Sequence, residues 1–87
     1  MYKLQFSEIA LDDIEYFKAS TPAVRKKISE LLEEIQQHPE TGTGRPEKLR
    51  YSLSGCMSRR ISLKDRLVYA INEDKQIVQI LSLRGHY

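Results

Sequence analysis

The 87-residue chain has no tryptophan, one cysteine, three prolines and four glycines. A lone thiol, Cys56, cannot close an intrachain disulfide and is no framework for a metal site. Such a cysteine is usually a small, half-buried hydrophobe. No apolar run is long enough to cross a bilayer, so no membrane partner is expected. The opening stretch, Met1-Tyr2-Lys3-Leu4-Gln5-Phe6, lacks the apolar core of a signal peptide, which leads to the expectation of a cytoplasmic protein. Gly42-Thr43-Gly44 is glycine-rich but lacks the Gly-Lys-Ser/Thr ending of a phosphate-binding loop. Repeats, low-complexity tracts and linkers are missing too, and the length suits one small domain over residues 1–87.

What is present is a globular composition, 40% hydrophobic and 30% charged. The net charge of +2 hides an asymmetry: residues 1–44 carry −3 and residues 45–87 carry +5. A basic half beside an acidic half suits a surface that meets a polyanion, and it equally suits ordinary solvated charge.

Tyr2, Leu4 and Phe6 alternate with Lys3 and Gln5, the period of a strand with one buried face. Ser7 fits a helix N-cap, and Ala10, Ile14 and Phe17 then recur at helical spacing. Thr21-Pro22 restarts the chain as cap and first helical residue. Val24, Ile28, Leu31, Leu32 and Ile35 form the apolar stripe of a second helix, which should stop near His38 because Pro39 follows. A loop over 40–46 leads to four predicted strands: Glu47–Leu53, Met57–Ser62, Arg66–Asn72 and Gln76–Arg84. The last two are apolar on both faces and should be central. The order predicts an α+β domain, with two helices from the N-terminal half packed on a mostly antiparallel sheet.

The polar residues of the strand half form a suggestive set. Glu47 opens one strand, Arg66 opens another, and Arg84-Gly85-His86-Tyr87 follows the last. Arg59 and Arg60 are adjacent and must point to opposite faces. An antiparallel sheet can bring such strand ends to one edge. A carboxylate, an imidazole, a phenol and guanidinium groups together suit RNA cleavage without a metal or cofactor. A base takes the ribose 2′-proton, an acid protonates the departing 5′-oxygen, and arginine stabilises the transition state. Residue types alone also allow Glu47 as a surface charge beside Lys48, Arg66 in a strand-end ion pair, and His86 as a tail residue.

The ordered set of motifs resembles the YoeB/Txe branch of the RelE toxins of bacterial toxin–antitoxin systems. The matching stretches are Gly42-Thr43-Gly44-Arg45-Pro46-Glu47, Leu53-Ser54-Gly55, Ser58-Arg59-Arg60-Ile61, Asp65-Arg66-Leu67-Val68-Tyr69 and His86-Tyr87. The resemblance covers essentially the whole chain. It implies a RelE-like, microbial-ribonuclease-like fold and a ribosome-dependent endoribonuclease cutting mRNA in the ribosomal A site. It implies neutralisation by a cognate antitoxin of the YefM/Axe kind, and a homodimer is a further expectation. It makes Glu47 the general base, His86 the general acid, Arg66 the transition-state stabiliser and Tyr87 an RNA-positioning group. Arg59 matches an arginine that assists phosphate binding, and Arg45, Lys48, Arg60 and Arg84 are further expected RNA contacts. Where the family usually has aromatics, this chain has Cys56-Met57. Two rivals are a non-catalytic gyrase poison of the ParE kind on the same fold, and a plain RNA- or protein-binding module.

Overall fold

The computed structural model describes residues 1–50 and 53–85. Strand β1 (Lys3–Phe6) leads into helices α1 (Glu8–Phe17) and α2 (Pro22–Gln37). Strands β2 (Glu47–Lys48), β3 (Cys56–Arg60), β4 (Arg66–Asn72) and β5 (Ile77–Ser82) follow. The five strands form one sheet in the order β1-β5-β4-β3-β2. Among the described residues only β1 and β5 run parallel; the other three pairings are antiparallel. The two strands that are apolar on both faces, β4 and β5, lie inside the sheet as their composition requires.

Both helices begin at the caps legible in the sequence. Ser7 Oγ accepts from the Ala10 amide at 3.0 Å, and Thr21 Oγ1 from the Val24 amide at 3.4 Å, with Pro22 opening α2. The helices cover one face of the sheet. Ala10, Phe17, Ile28, Leu31 and Ile35 pack there on Met57, Leu67, Tyr69, Val78, Ile80 and Leu83. Alternation sends Cys56, Ser58 and Arg60 of β3, with Arg66, Val68 and Ala70 of β4, to the face away from the helices.

Three strands are shorter than their sequence suggests, each for a local reason. The first, expected over Glu47–Leu53, is Glu47–Lys48 among the described residues, with residues 51–52 of the expected strand outside them; one more ladder bond forms, from the Leu49 amide to Cys56 O, and the Leu53 amide donates to Arg50 O. Strand β3 stops at Arg60 because the amides of Ile61 and Ser62 turn onto Asp65 O. Strand β5 starts at Ile77, after Gln76 with φ 55°, and stops at Ser82 because the next amides, Leu83 and Arg84, bond a carboxylate of α1. A bulge precedes that stop. Tyr69 pairs with Ile80 but Val68 with Ser82, so Leu81 is the extra residue. The bulge lets both Ile80 and Leu83 face the core.

Candidate active site

Three successive strands each contribute one side chain to the face away from the helices. Glu47 of β2 is opposite Ser58 of β3, and Arg66 of β4 reaches diagonally across β3 to both. The Arg66 Nη1 donates to Ser58 Oγ at 3.4 Å and to Glu47 Oε2 at 3.5 Å. These lengths are at the outer limit of hydrogen bonding, so neither group is consumed by the other. The Glu47 side chain is 49% exposed and that of Arg66 25%, which leaves both open to a ligand. Arg60 is directly opposite Arg66, so two guanidinium groups share this surface beside one carboxylate. The Arg60 Nε is buried and has no partner among the described residues. A carboxylate able to accept a proton next to cations able to hold a phosphodiester is the arrangement that 2′-hydroxyl attack requires.

The segment after β5 comes to the start of β4. After β5 it runs to Gly85, whose φ of +66° favours glycine. A β-carbon there would be 3.8 Å from the Arg66 amide nitrogen, so the backbone passes directly beside the start of β4. His86 and Tyr87, the expected acid and positioning group, lie outside the described residues.

Arg59 corrects the sequence-based expectation. Its side chain faces the helices and is fully buried, away from the face that carries Glu47 and Arg66. Its Nη1 binds Glu34 Oε1 at 2.8 Å and Thr43 O at 3.3 Å; its Nη2 binds His38 O at 2.5 Å and Thr41 O at 2.7 Å. Its Nε donates to the Tyr69 hydroxyl at 3.0 Å, which itself donates to Pro39 O at 2.6 Å. Glu34 also accepts from the Thr43 amide and hydroxyl. Those bonds, the Thr43 amide first, hold the Glu34 carboxyl below its ordinary range, while burial pushes the Tyr69 phenol up. A β-carbon at Gly42, where φ is +127°, would collide with the Glu34 carboxylate. The hub therefore ties down the loop from His38 to Thr43. Gly44 continues it by accepting from the Arg60 amide at 2.6 Å, and three residues later comes Glu47.

The other expected RNA contacts separate. Arg45 is exposed in the loop, with φ 52°. Lys48 is exposed but pairs with Met57, so it points to the face opposite Glu47 and away from the Glu47–Arg66 pair. Arg84 lies over the Tyr16 ring of α1, its guanidinium carbon 3.7 Å from the ring centroid. Two residues escaped the sequence reading. Ser58 shares a strand face with Arg60, which period-two alternation could have shown. Asp13 is three residues after Ala10 and four before Phe17, a carboxylate within the core-facing stripe of α1, and it is 4% exposed. Among the described residues no group of three or more His, Cys, Asp and Glu side chains is arranged to hold a metal ion.

Known proteins match this chain along its length. The family described as the YoeB-like toxin of bacterial type II toxin-antitoxin system matches residues 6–87. Toxin YoeB of Escherichia coli K12 is 41% identical over 98% of this chain and 99% of the relative. The YoeB/ParE toxin from Agrobacterium tumefaciens superposes with a TM-score of 0.89 at 30% identity, covering 98% of this chain and 99% of that one. YoeB of Staphylococcus aureus is 38% identical. It superposes with a TM-score of 0.84 as a heterotetrameric complex with YefM, covering 100% and 99% of the two chains. As a dimer it superposes at 0.85, covering 99% and 98%.

Proposed function

The chain belongs to the YoeB-like toxins of bacterial type II toxin–antitoxin systems, and from that premise we propose that it is a ribosome-dependent endoribonuclease cutting mRNA in the ribosomal A site. The observation that carries the reading is the Arg66 guanidinium bridging Ser58 and an accessible Glu47 across three strands. Glu47 takes the proton from the ribose 2′-hydroxyl, and that oxygen attacks the adjacent phosphorus. The P–O5′ bond breaks, His86 supplies the proton to the departing 5′-oxygen, and a 2′,3′-cyclic phosphate is left on the upstream fragment. Arg66 and Arg60 stabilise the charge that builds on the phosphoryl oxygens. Tyr87 positions the RNA. DNA, without a 2′-hydroxyl, is not a substrate.

Such a toxin is kept harmless by an antitoxin of the YefM/Axe kind. The Staphylococcus YoeB–YefM assembly supports that partner, and the dimer of the same toxin supports self-association. Ribosome and mRNA as partners make the cytoplasm its place of action; no helix among the described residues is long and apolar enough to cross a membrane. The test is to add the protein to translating ribosomes and map new mRNA 5′ ends. New ends in the A-site codon that disappear with Glu47→Gln and Arg66→Met support the reading; intact mRNA refutes it. The name of the Agrobacterium neighbour, YoeB/ParE, favours the non-catalytic gyrase poison as the second reading. Inhibition of gyrase with mRNA left intact would establish it instead.

A further inference from the structure

We infer that Asp13 of α1 is a positioning residue for this reaction, its carboxylate fixing the strand end that delivers His86; the inference rests on the ribonuclease reading above. Asp13 Oδ2 accepts from the Leu83 amide at 2.8 Å and from the Arg84 amide at 3.3 Å. Both amides lie beyond the last strand pairing of β5. One helical turn further along α1, the Tyr16 ring holds the Arg84 guanidinium. At the other end of the helix, the Ser7 amide donates to Ile80 O at 3.0 Å and the Ser7 hydroxyl to Leu81 O at 2.8 Å. The backbone of residues 80–84 is therefore gripped by α1 and its cap, at the point where the bulge shifts the register of β5 against β4.

The consequence follows from the next residue. Gly85 runs beside the Arg66 amide, so the path of 83–84 sets how the chain passes the start of β4, the strand that carries Arg66. Hydrogen bonds from amides to a buried carboxylate are charge-assisted and hold a backbone more firmly than neutral ones. Proton transfer to a leaving oxygen tolerates little error: a displacement of about 1 Å can cost about a hundredfold in rate. A carboxylate on α1 thus sets the path of the chain that leads to His86.

The test compares the native protein with Asp13→Ala, Asp13→Asn and Tyr16→Leu. Single-turnover mRNA cleavage on ribosomes is measured across ribosome concentrations, with amide hydrogen exchange on the same samples. Asp13→Ala is expected to lower the saturating rate about a hundredfold, with half-saturation unchanged. Exchange protection should vanish at Leu83 and Arg84 and persist at Tyr69 and Val78. Asp13→Asn keeps a carbonyl acceptor and should recover most of the lost rate. Tyr16 is on the surface, so Tyr16→Leu should fold normally and carries the test if Asp13→Ala does not; a rate about threefold to tenfold lower is expected when one of two grips is lost. Cleavage by Asp13→Ala or Tyr16→Leu at the native rate overturns the inference. So does a rate loss matched by equal loss of protection at Tyr69 and Val78, which would make the role one of stability alone. If the native protein leaves mRNA intact, the ribonuclease reading falls and takes this inference with it; if only the variants behave as native, the inference alone falls.

Discussion

Replacing Arg59 by methionine separates a structural arginine from an RNA-binding one. The substitution keeps an apolar stem and removes the guanidinium from a site with no exposure. His38 O, Thr41 O, Thr43 O, the Tyr69 hydroxyl and Glu34 each lose a donor at once. Removing one partner of a buried ion pair costs about 3–5 kcal/mol. Glu34 is 28% exposed and keeps both bonds from Thr43, so its own loss is partly met by water and the lower end applies. For a domain of this size each kcal/mol lowers the melting temperature by about 4–8 °C. A fall of about 12 °C or more is therefore expected from Arg59→Met in a thermal scan followed by circular dichroism. Ribosome affinity of the folded fraction, measured well below the transition, should stay native. A melting temperature within about 2 °C of native, together with weakened ribosome binding, would refute the burial of Arg59 and return it to the RNA.

Other outcomes are equally specific. His86→Gln should slow cleavage by about two to four powers of ten while ribosome binding persists, the usual loss on removing a general acid; native rates would remove His86 from the mechanism. Arg66→Met should lower the cleavage rate by about a hundredfold to a thousandfold through lost charge stabilisation, with little change in melting temperature because its two bonds are long; a large stability loss instead would make it a structural residue. The lowered Glu34 carboxyl gives stability that is fully present above its ordinary value of 4.5 and is lost as pH falls through the lower folded value. Glu34→Gln should flatten that acid limb in a plot of melting temperature against pH, and an unchanged limb would assign it to other carboxylates.

Much of this is legible in the chain itself. Ser7, Thr21 and Pro22 carry their helix starts in their own side-chain chemistry, and the doubly apolar runs in β4 and β5 announce interior strands. Alternation also separated Arg59 from Arg60 correctly, but it does not say which face the helices cover. That depends on where α2 packs, and only packing brings Glu34 against Arg59. Lys48 lies on the other face for a related reason: next to Glu47 in sequence means opposite to it in a strand. No local pattern in Glu47–Leu53 marks where its ladder stops, which the bond from the Leu53 amide to Arg50 O decides. Asp13 is the deepest omission. Its partners are amides seventy and seventy-one positions away, beyond the reach of any local pattern.

The parallel pairing of β1 with β5 has a consequence for how the molecule is made. Lys3 is in register with Ile77 and Phe6 with Ile80, and among the described residues β1 pairs with β5 alone. During synthesis the N-terminal strand emerges early and has no sheet to join until residues 77–82 have left the exit tunnel. The helical hairpin, built from local contacts, can form while the chain is still attached, but the sheet must wait for its fifth strand, and such long-range closure is the slow part of folding. The Glu47–Arg66 face thus gains its full backing only once β5 has been released and locked between β1 and β4.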